Sequence, residues 1–434
     1  MRVLFAIFCW VQTYLPRVVD RELASRLAAT GAVMIEGPKA CGKTATARQL
    51  ATSEVLLDVD QNARQAATVS PGLVLEGATP RLLDEWQTVP AIWDHVRRAV
   101  EDRKKPGQFI LTGSAVPPDD ITQHSGAGRI TRLLMRPMSL YETGHSDGSV
   151  SLASVLARAP VPSAATSTTL EQIADRVAAG GWPGLLDLPI DVAQRAIRDY
   201  LGEIARVDIN RVDAPQPGQR ERRRDPRRVQ RLLRSIARNI ATAAAIKTLA
   251  ADTGGADGAL NRETASDYLD RLKRLMVVED QPAWAPHLRS RYVLREGDTR
   301  HFVDPSLAVA ALRATPARIL RDLNLFGLLF ESLAVRDLRV YAQAADAEVV
   351  HYRDSEDVEC DAIVETRDGR WAAFEVKLGG GLVEEGADDL RRFISRIDTK
   401  RCGEPALLAV ITATGYAYTR PDGIAVIPLT LLGP

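Results

Sequence analysis

The chain has 434 residues, 45% of them hydrophobic, with 56 lysines and arginines against 56 aspartates and glutamates. That length suggests about three domains, each able to bury a core, and a net charge of zero argues against binding nucleic acid or membrane by bulk charge, so any such surface is local. Four cysteines, Cys9, Cys41, Cys360 and Cys402, and six histidines are scattered without metal-ligand spacing, which argues against a zinc centre or a disulfide framework and fits reduced thiols in a cytoplasmic protein.

The opening MRVLFAIFCWVQ is apolar but far shorter than the roughly 20 residues that span a bilayer, and no small-residue cleavage site follows. Residues 1–17 are therefore expected to be an extension, whether an added strand, a non-native or upstream start, or a weak signal peptide for export, and no membrane partner is expected. From Asp20 a helical pattern runs to Gly31, and Ala32, Val33, Met34 and Ile35 read as a short buried strand. Next comes GPKACGKT, Gly37 to Thr44, which meets G-x-x-x-x-G-K-[ST] between a strand and a helix. Gly37, Pro38, Lys39, Ala40, Cys41, Gly42, Lys43 and Thr44 are expected to bind ATP. The two glycines let backbone N–H groups turn inward around phosphate, toward the positive end of the following helix. Lys43 would reach the β- and γ-phosphates and the Thr44 hydroxyl would ligate Mg²⁺.

A second strand is expected at Val55 to Asp60, and a third run, Leu82 and Leu83, delivers Asp84 and Glu85 at its carboxyl end. Adjacent acids there take separate tasks: Asp84 holds Mg²⁺ through water and Glu85 polarises the attacking water. A helix start is the alternative for L-L-D-E, weakened by the P-loop before it. Pairing for hydrolysis also disfavours a nucleoside kinase. A helix at Pro90 to Asp102 leads into QFILTGS, where Thr112 and Ser114 are candidate sensors of the γ-phosphate at a strand end. Arg129 and Arg132, just past the small-residue turn HSGAG, either neutralise transition-state charge, in cis or from a neighbouring subunit of a homo-oligomer, or solvate a strand as surface arginines.

GPKACGKT, LLDEWQTVP, FILTGS and GRITRLLMRPMSLYE together resemble the prokaryotic AAA-like ATPases that carry a C-terminal domain of unknown function related to PD-(D/E)-x-K nucleases. GGWPGLL, Gly180 to Leu186, and YLGEIARVDINRV, Tyr200 to Val212, resemble the same family, so the likeness covers nearly the whole chain. It implies an ATPase core similar to the archaeal-type ATPases and nucleotide-handling roles for Gly42, Lys43, Thr44, Asp84 and Glu85.

Residues 146–169, rich in Ser, Ala, Pro and Gly, read as a loop or linker into a helical lid, and Trp182 reads as a packed aromatic in a tight turn. The basic run Gln219 to Ile240 is a solvated helix face or a DNA or RNA contact. Two helices around Val229 to Ala250, an amphipathic helix from Glu263 and a strand pair then describe a winged helix-turn-helix. In it Thr264, Ser266, Asp267 and Arg271 face outward and Tyr268, Leu269 and Leu272 are core. Such modules also dock proteins.

The apolar helix Leu323 to Tyr341 carries Glu331, an acid that wants a partner or a metal. In the hairpin Glu359 to Leu378, a three-residue loop Arg367, Asp368, Gly369 with Gly369 left-handed sets Asp361 opposite Glu375. One face then gathers Asp361, Glu375 and Lys377, and the other Cys360, Ala362, Val364, Ala372, Phe374 and Val376. Acids about 5 Å apart across strands repel unless a cation separates them. Glu331, Asp361 and Glu375 are thus candidate Mg²⁺ ligands and Lys377 a candidate for activating water, with a salt bridge between Lys377 and its acids as the alternative.

The expected fold class is α/β: a P-loop ATPase core with a parallel sheet at 18–150, a linker and helical lid at 151–218, a winged-helix-like domain at 219–318 and a restriction-endonuclease-like α/β domain at 319–434. The expected function is an ATP-hydrolysing switch joined to a nuclease-like domain that acts on or holds nucleic acid. The rival is a nucleotide-dependent regulator that binds DNA or a protein partner without cleavage.

Overall fold

The computed structural model describes residues 14–114, 126–212, 224–254, 258–286 and 297–434. The expectations for residues 1–13, for His124 and Ser125, for the opening of the basic run and for the strand from Arg291 lie outside the described residues.

Short apolar runs build the first sheet, with helices on both faces. In chain order its elements are α1 (Asp20–Ala29), β1 (Ala32–Glu36), α2 (Lys43–Arg48), β2 (Ser53–Leu56), α3 (Gln61–Val69), β3 (Arg81–Asp84), α4 (Ile92–Arg103), β4 (Phe109–Gly113) and β5 (Ile130–Leu134). The strand order is β2-β3-β4-β1-β5, and every pairing is parallel. Side chains alternate faces: Met34, Leu83, Phe109 and Leu111 pack with Trp86 and Trp93 on one side, and Val33, Ile35, Leu82 and Ile110 meet Leu23 and Leu27 of α1 on the other. Because all strands run one way, the ends of β1, β3 and β4 open on a single edge, and β4 sits between β1 and β3. Ligands of such sheets bind at that edge.

Residues 146–169 depart from the expected linker. They supply β6 (Val150–Ser151), α5 (Leu152–Leu156) and β7 (Ala164–Thr166), which pair with strands near the chain's end. Helices follow: α6 (Leu170–Ala179), opened by a capping box between Thr169 and Gln172, and α7 (Ile190–Glu203), which continues through one π-turn at Ile204–Asp208 into α8 (Ile209–Arg211). Then come α9 (Pro226–Arg238), α10 (Ile246–Asp252), α11 (Arg262–Arg274), the antiparallel pair β8 (Val278–Gln281) and β9 (Thr299–Phe302), α12 (Pro305–Leu312) and α13 (Pro316–Ile319). On α11, Tyr268, Leu269 and Leu272 are core as expected. Arg271 is not outward: it is buried, held by Asp267 Oδ1 at 2.9 Å and the Ile209 carbonyl at 3.4 Å.

The last part is a seven-stranded sheet, β10-β11-β12-β13-β15-β14-β7, from β10 (Ala347–Arg353), β11 (Glu359–Thr366), β12 (Trp371–Lys377), β13 (Leu407–Thr412), β14 (Gly415–Thr419) and β15 (Ala425–Pro428), closed by β16 (Leu432–Gly433) against β6. Helix α14 (Leu323–Ala344) covers one face and α15 (Val383–Arg396) the other. The hairpin loop has the expected form, with Gly369 at φ 81°, and the register runs from Glu365 opposite Trp371 to Ala362 opposite Phe374. One step further β11 carries an extra residue relative to β10, between Ile363 and Cys360. That bulge reverses the facing of what precedes it, so Cys360, expected with Ala362 and Val364, packs with Ile363 and Trp371. One continuous core joins α6, α7, α9, α11, α12 and α14 to the inner face of this sheet, across the boundary expected near residue 318.

Candidate functional site

The P-loop leaves β1 between close neighbours. A Cβ on Gly37 would lie 2.2 Å from the Met135 carbonyl oxygen, and Gly42 has φ 103°, so both positions need glycine. Lys43 is 5% exposed, and its Nζ donates to the carbonyls of Gly37 and Pro38, both at 2.9 Å.

Strand order brings the predicted acids and hydroxyls to this loop. Thr44 Oγ1 donates to Asp84 Oδ1 at 2.8 Å, and Thr112 Oγ1 donates to the same oxygen at 2.5 Å. Thr112 also accepts from the Glu85 N–H at 3.1 Å. Glu85 stands at φ 50°, a strained backbone for a non-glycine residue. Its carboxylate is fixed by Ser114 Oγ, 2.5 Å from Oε1, and by the Gln87 amide on Oε2. Thr112 and Ser114, expected to look toward a phosphate, thus hold the two acids in place. Thr44 and Asp84 form a hard-oxygen pair suited to Mg²⁺. Arg129 and Arg132 are not joined to this group. Arg129 lies 3.4 Å from Glu101, and Arg132 pairs with Glu36 while its guanidinium stands 5.5 Å over Trp93. Burial pushes the Glu36 carboxyl up against the pull of Arg132.

Sequence reasoning missed what surrounds the loop. Buried Arg17 donates to the Cys41 carbonyl at 2.9 Å, to the Arg136 carbonyl at 2.8 Å and to Glu142 at 3.0 Å. Lys39 Nζ reaches Asp208 Oδ1, on the π-turn, at 2.6 Å. Trp182 stacks 5.3 Å from Tyr200 and donates to Ser306 Oγ at 2.9 Å, which bears out the packed aromatic. The Tyr200 hydroxyl is buried without a hydrogen-bond partner, and burial pushes its phenol well up. A second seam is ionic. Glu279 on β8 receives Arg136 at 3.0 Å and Arg339 of α14 at 3.4 Å. Burial alone would raise its carboxyl, but Arg136 and Arg339 bring it down to about 2. The only sequence signal for these partners is a charge in an otherwise apolar stretch, as with Arg336 and Asp337 on α14, which are buried with Asp304.

In the C-terminal sheet the predicted acids do come together. Asp361 Oδ2 accepts from the Val376 N–H at 2.7 Å, in the place where the ladder stops. The Glu375 carboxyl lines one cavity with it. Burial, then the neighbouring Asp361 charge, hold Glu375 well above the usual carboxylate range, and its Oε1 is buried without a partner. Burial and then Asp361 likewise raise Glu331. Burial would lower the Lys377 ammonium, yet Asp389 at 2.8 Å, Glu375 at 3.7 Å and Asp361 hold it above the ordinary lysine value. Asp357, Glu359, Asp389 and Arg392 complete a cavity of about 190 Å³ with Asp361, Glu375 and Lys377. Among the described residues no three His, Cys, Asp or Glu side chains are grouped to hold a metal ion. Of the expected Mg²⁺ ligands, Asp361 and Glu375 line this cavity together, and Glu331 is not among its lining residues.

Residues 29–144 match the family described as AAA domain. This part of the chain is an ATPase-like P-loop domain. Residues 170–318 and 326–432 match two domains of unknown function, DUF8612 and DUF4143. Two uncharacterized proteins, from Mycobacterium bovis and Mycobacterium tuberculosis, are each 27% identical over 118 residues, 26% of this chain and 27% of theirs. The chain thus matches about a quarter of the length of these curated relatives. The Walker-type ATPase paby2304 of Pyrococcus abyssi superposes with a TM-score of 0.41 at 15% identity, over 67% of this chain and 94% of that one. Among the described residues no helix is long and apolar enough to cross a membrane.

Proposed function

We propose that the chain is a cytoplasmic, ATP-hydrolysing switch. The observation that carries this reading is the array at the sheet edge beside the P-loop, where Thr44 and Thr112 share one oxygen of Asp84 while Ser114 and Gln87 hold both oxygens of Glu85. In that reading Gly37 to Thr44 cradle the phosphates, Lys43 leaves the Gly37 and Pro38 carbonyls for the β- and γ-oxygens, and Thr44 and Asp84 hold Mg²⁺. The bound ion would supply charge neutralisation at the transferring phosphoryl group. Glu85, fixed at both oxygens, orients the attacking water and takes its proton. Arg129 and Arg132 sit in ion pairs on the edge strand side of the domain, which favours action in trans, on a neighbouring copy. Steady-state ATP turnover tests the reading: Mg²⁺-dependent hydrolysis lost in Lys43→Ala supports it, and no Mg²⁺-dependent ATP affinity refutes it.

The C-terminal part is read as a nuclease-like α/β domain that holds or acts on nucleic acid. The convergence of Asp361, Glu375 and Lys377 at one end of a mixed sheet supports this. Nicking of plasmid DNA that survives Lys43→Ala but vanishes in Asp361→Ala would establish cleavage; wild type that never cuts would favour the regulator, which binds DNA, RNA or a protein without cleaving. The order of α9, α10, α11, β8 and β9 supports a winged-helix reading of the middle segment. Arg271 and Arg274 of α11 are anchored on the Ile209 and Val212 carbonyls, which favours docking within the chain over insertion of that helix into a DNA groove.

A further inference from the structure

On the far side of the helical segment, α7, the π-turn, α9 and the end of α12 enclose a groove of about 720 Å³. Four arginines reach it from four places: Arg198 on α7, Arg206 on the π-turn, Arg234 on α9 and Arg313 at the C-cap of α12. Arg206 is paired with Glu203. Among the described residues Arg198, Arg234 and Arg313 have no ion-pair or hydrogen-bond partner. Asp199 is the one acid in the lining besides the engaged Glu203.

The chemistry of the lining selects the partner. Guanidinium groups form bidentate, planar hydrogen bonds with phosphate. The floor includes Gly202, Ala310 and Ala311, small residues that let a backbone come close, and no aromatic side chain lines the groove. Single-stranded nucleic acid is held largely by stacking on aromatic rings, and protein partners chiefly by aromatic and arginine anchors seated in apolar pockets; among its described residues this groove has no aromatic ring, and Leu201, Pro226 and Leu233 are its only large apolar side chains. We propose that the groove lined by Arg198, Arg234 and Arg313 binds the sugar–phosphate backbone of duplex nucleic acid without reading its sequence. The inference names a surface for the nucleic-acid partner of the reading above, but it places that surface on the helical segment, on residues that share none with the Asp361 cavity, and it requires no cleavage.

The test is fluorescence anisotropy of the full chain with labelled DNA and RNA duplexes of two unrelated sequences, the matching single strand and a polyglutamate peptide. Three released counterions give a fall in duplex affinity of about 40-fold between roughly 50 and 200 mM salt. Arg198→Ala, Arg234→Ala and Arg313→Ala each lower the slope of log K against log salt by about 0.9, equally for both sequences, with thermal unfolding and ATP turnover unchanged. Whichever of DNA and RNA binds more tightly identifies the duplex involved. Duplex affinity unchanged in Asp361→Asn and lowered in the arginine variants separates this surface from the C-terminal site. Absence of duplex affinity, wild-type affinity in all three variants, or tighter binding of the single strand or of polyglutamate overturns the proposal.

Discussion

Replacing Glu279 with glutamine removes one of the charges that join the P-loop domain to the rest of the chain. The carboxylate lies between Arg136, which follows β5, and Arg339 on α14, whose side chains are 12% and 6% exposed against 24% for Glu279 itself. Its folded value of about 2 lies below the ordinary 4.5, and at about 1.4 kcal/mol per unit the difference has an upper limit of about 3.5 kcal/mol. Partial exposure screens the pair, so about 1–2 kcal/mol is the expected loss near neutral pH. The sign follows from the depressed value. The stabilisation is complete above the unfolded carboxylate range and disappears as pH falls toward about 2. Urea unfolding of wild type and Glu279→Gln should therefore differ most at pH 7 and converge as the solution is acidified through the carboxylate range. Limited proteolysis at pH 7 should also cut faster between the P-loop domain and the helices in the variant. Equal midpoints at pH 7, or a gap that stays constant into acid, would refute the assignment of Glu279 as an ionic link.

Ser114→Ala frees one oxygen of Glu85, and ATP turnover should fall about tenfold or more with little change in KM, since a catalytic group shifted by about 1 Å can cost two decades; an unchanged kcat would remove Ser114 from the site. Gly181→Ala places a methyl group 1.9 Å from the Met138 carbonyl oxygen, an overlap that only backbone movement relieves, and calorimetry should report a loss of about 3 kcal/mol or more. Trp371→Ala empties the centre of the apolar layer under α15, where the ring is fully buried against Trp284 at 4.8 Å. Its unfolding free energy should drop by about 3–5 kcal/mol, while ATP binding at Lys43 should persist.

The legible parts of this fold are those whose physics is local. The P-loop announces itself because Gly37 and Gly42 answer a backbone demand within eight residues, and the hairpin register follows from Gly369 and the alternation on either side of it. What escaped depends on distant partners. Residues 146–169 look like a linker because β6 and β7 are too short to show a period, and they become strands only by pairing with Leu432 and with Tyr416. Arg271 looks outward by helical spacing, yet the Ile209 carbonyl, 62 positions earlier, draws it in. Cys360 changed faces because an extra residue in β11 interrupts a period that sequence reading assumes unbroken. In the site, the types of Asp84, Glu85, Thr112 and Ser114 were readable, but their mutual hydrogen bonds depend on β4 lying between β1 and β3. Lys39 gave no hint that Asp208 would be its partner.

The shared apolar interior that runs from α6 to the inner face of the last sheet ties the helical segment to the C-terminal sheet, with only Val18 and Leu140, among the described residues, reaching it from the P-loop part. Oil-like contacts across residue 318 cannot slide without opening voids, whereas salt links such as Lys39 with Asp208 and Arg136 with Glu279 can be exchanged for water at modest cost. Displacement across residue 318 therefore costs more than exchange of the polar links beside the phosphate loop, which leaves the helices and the C-terminal sheet to move together.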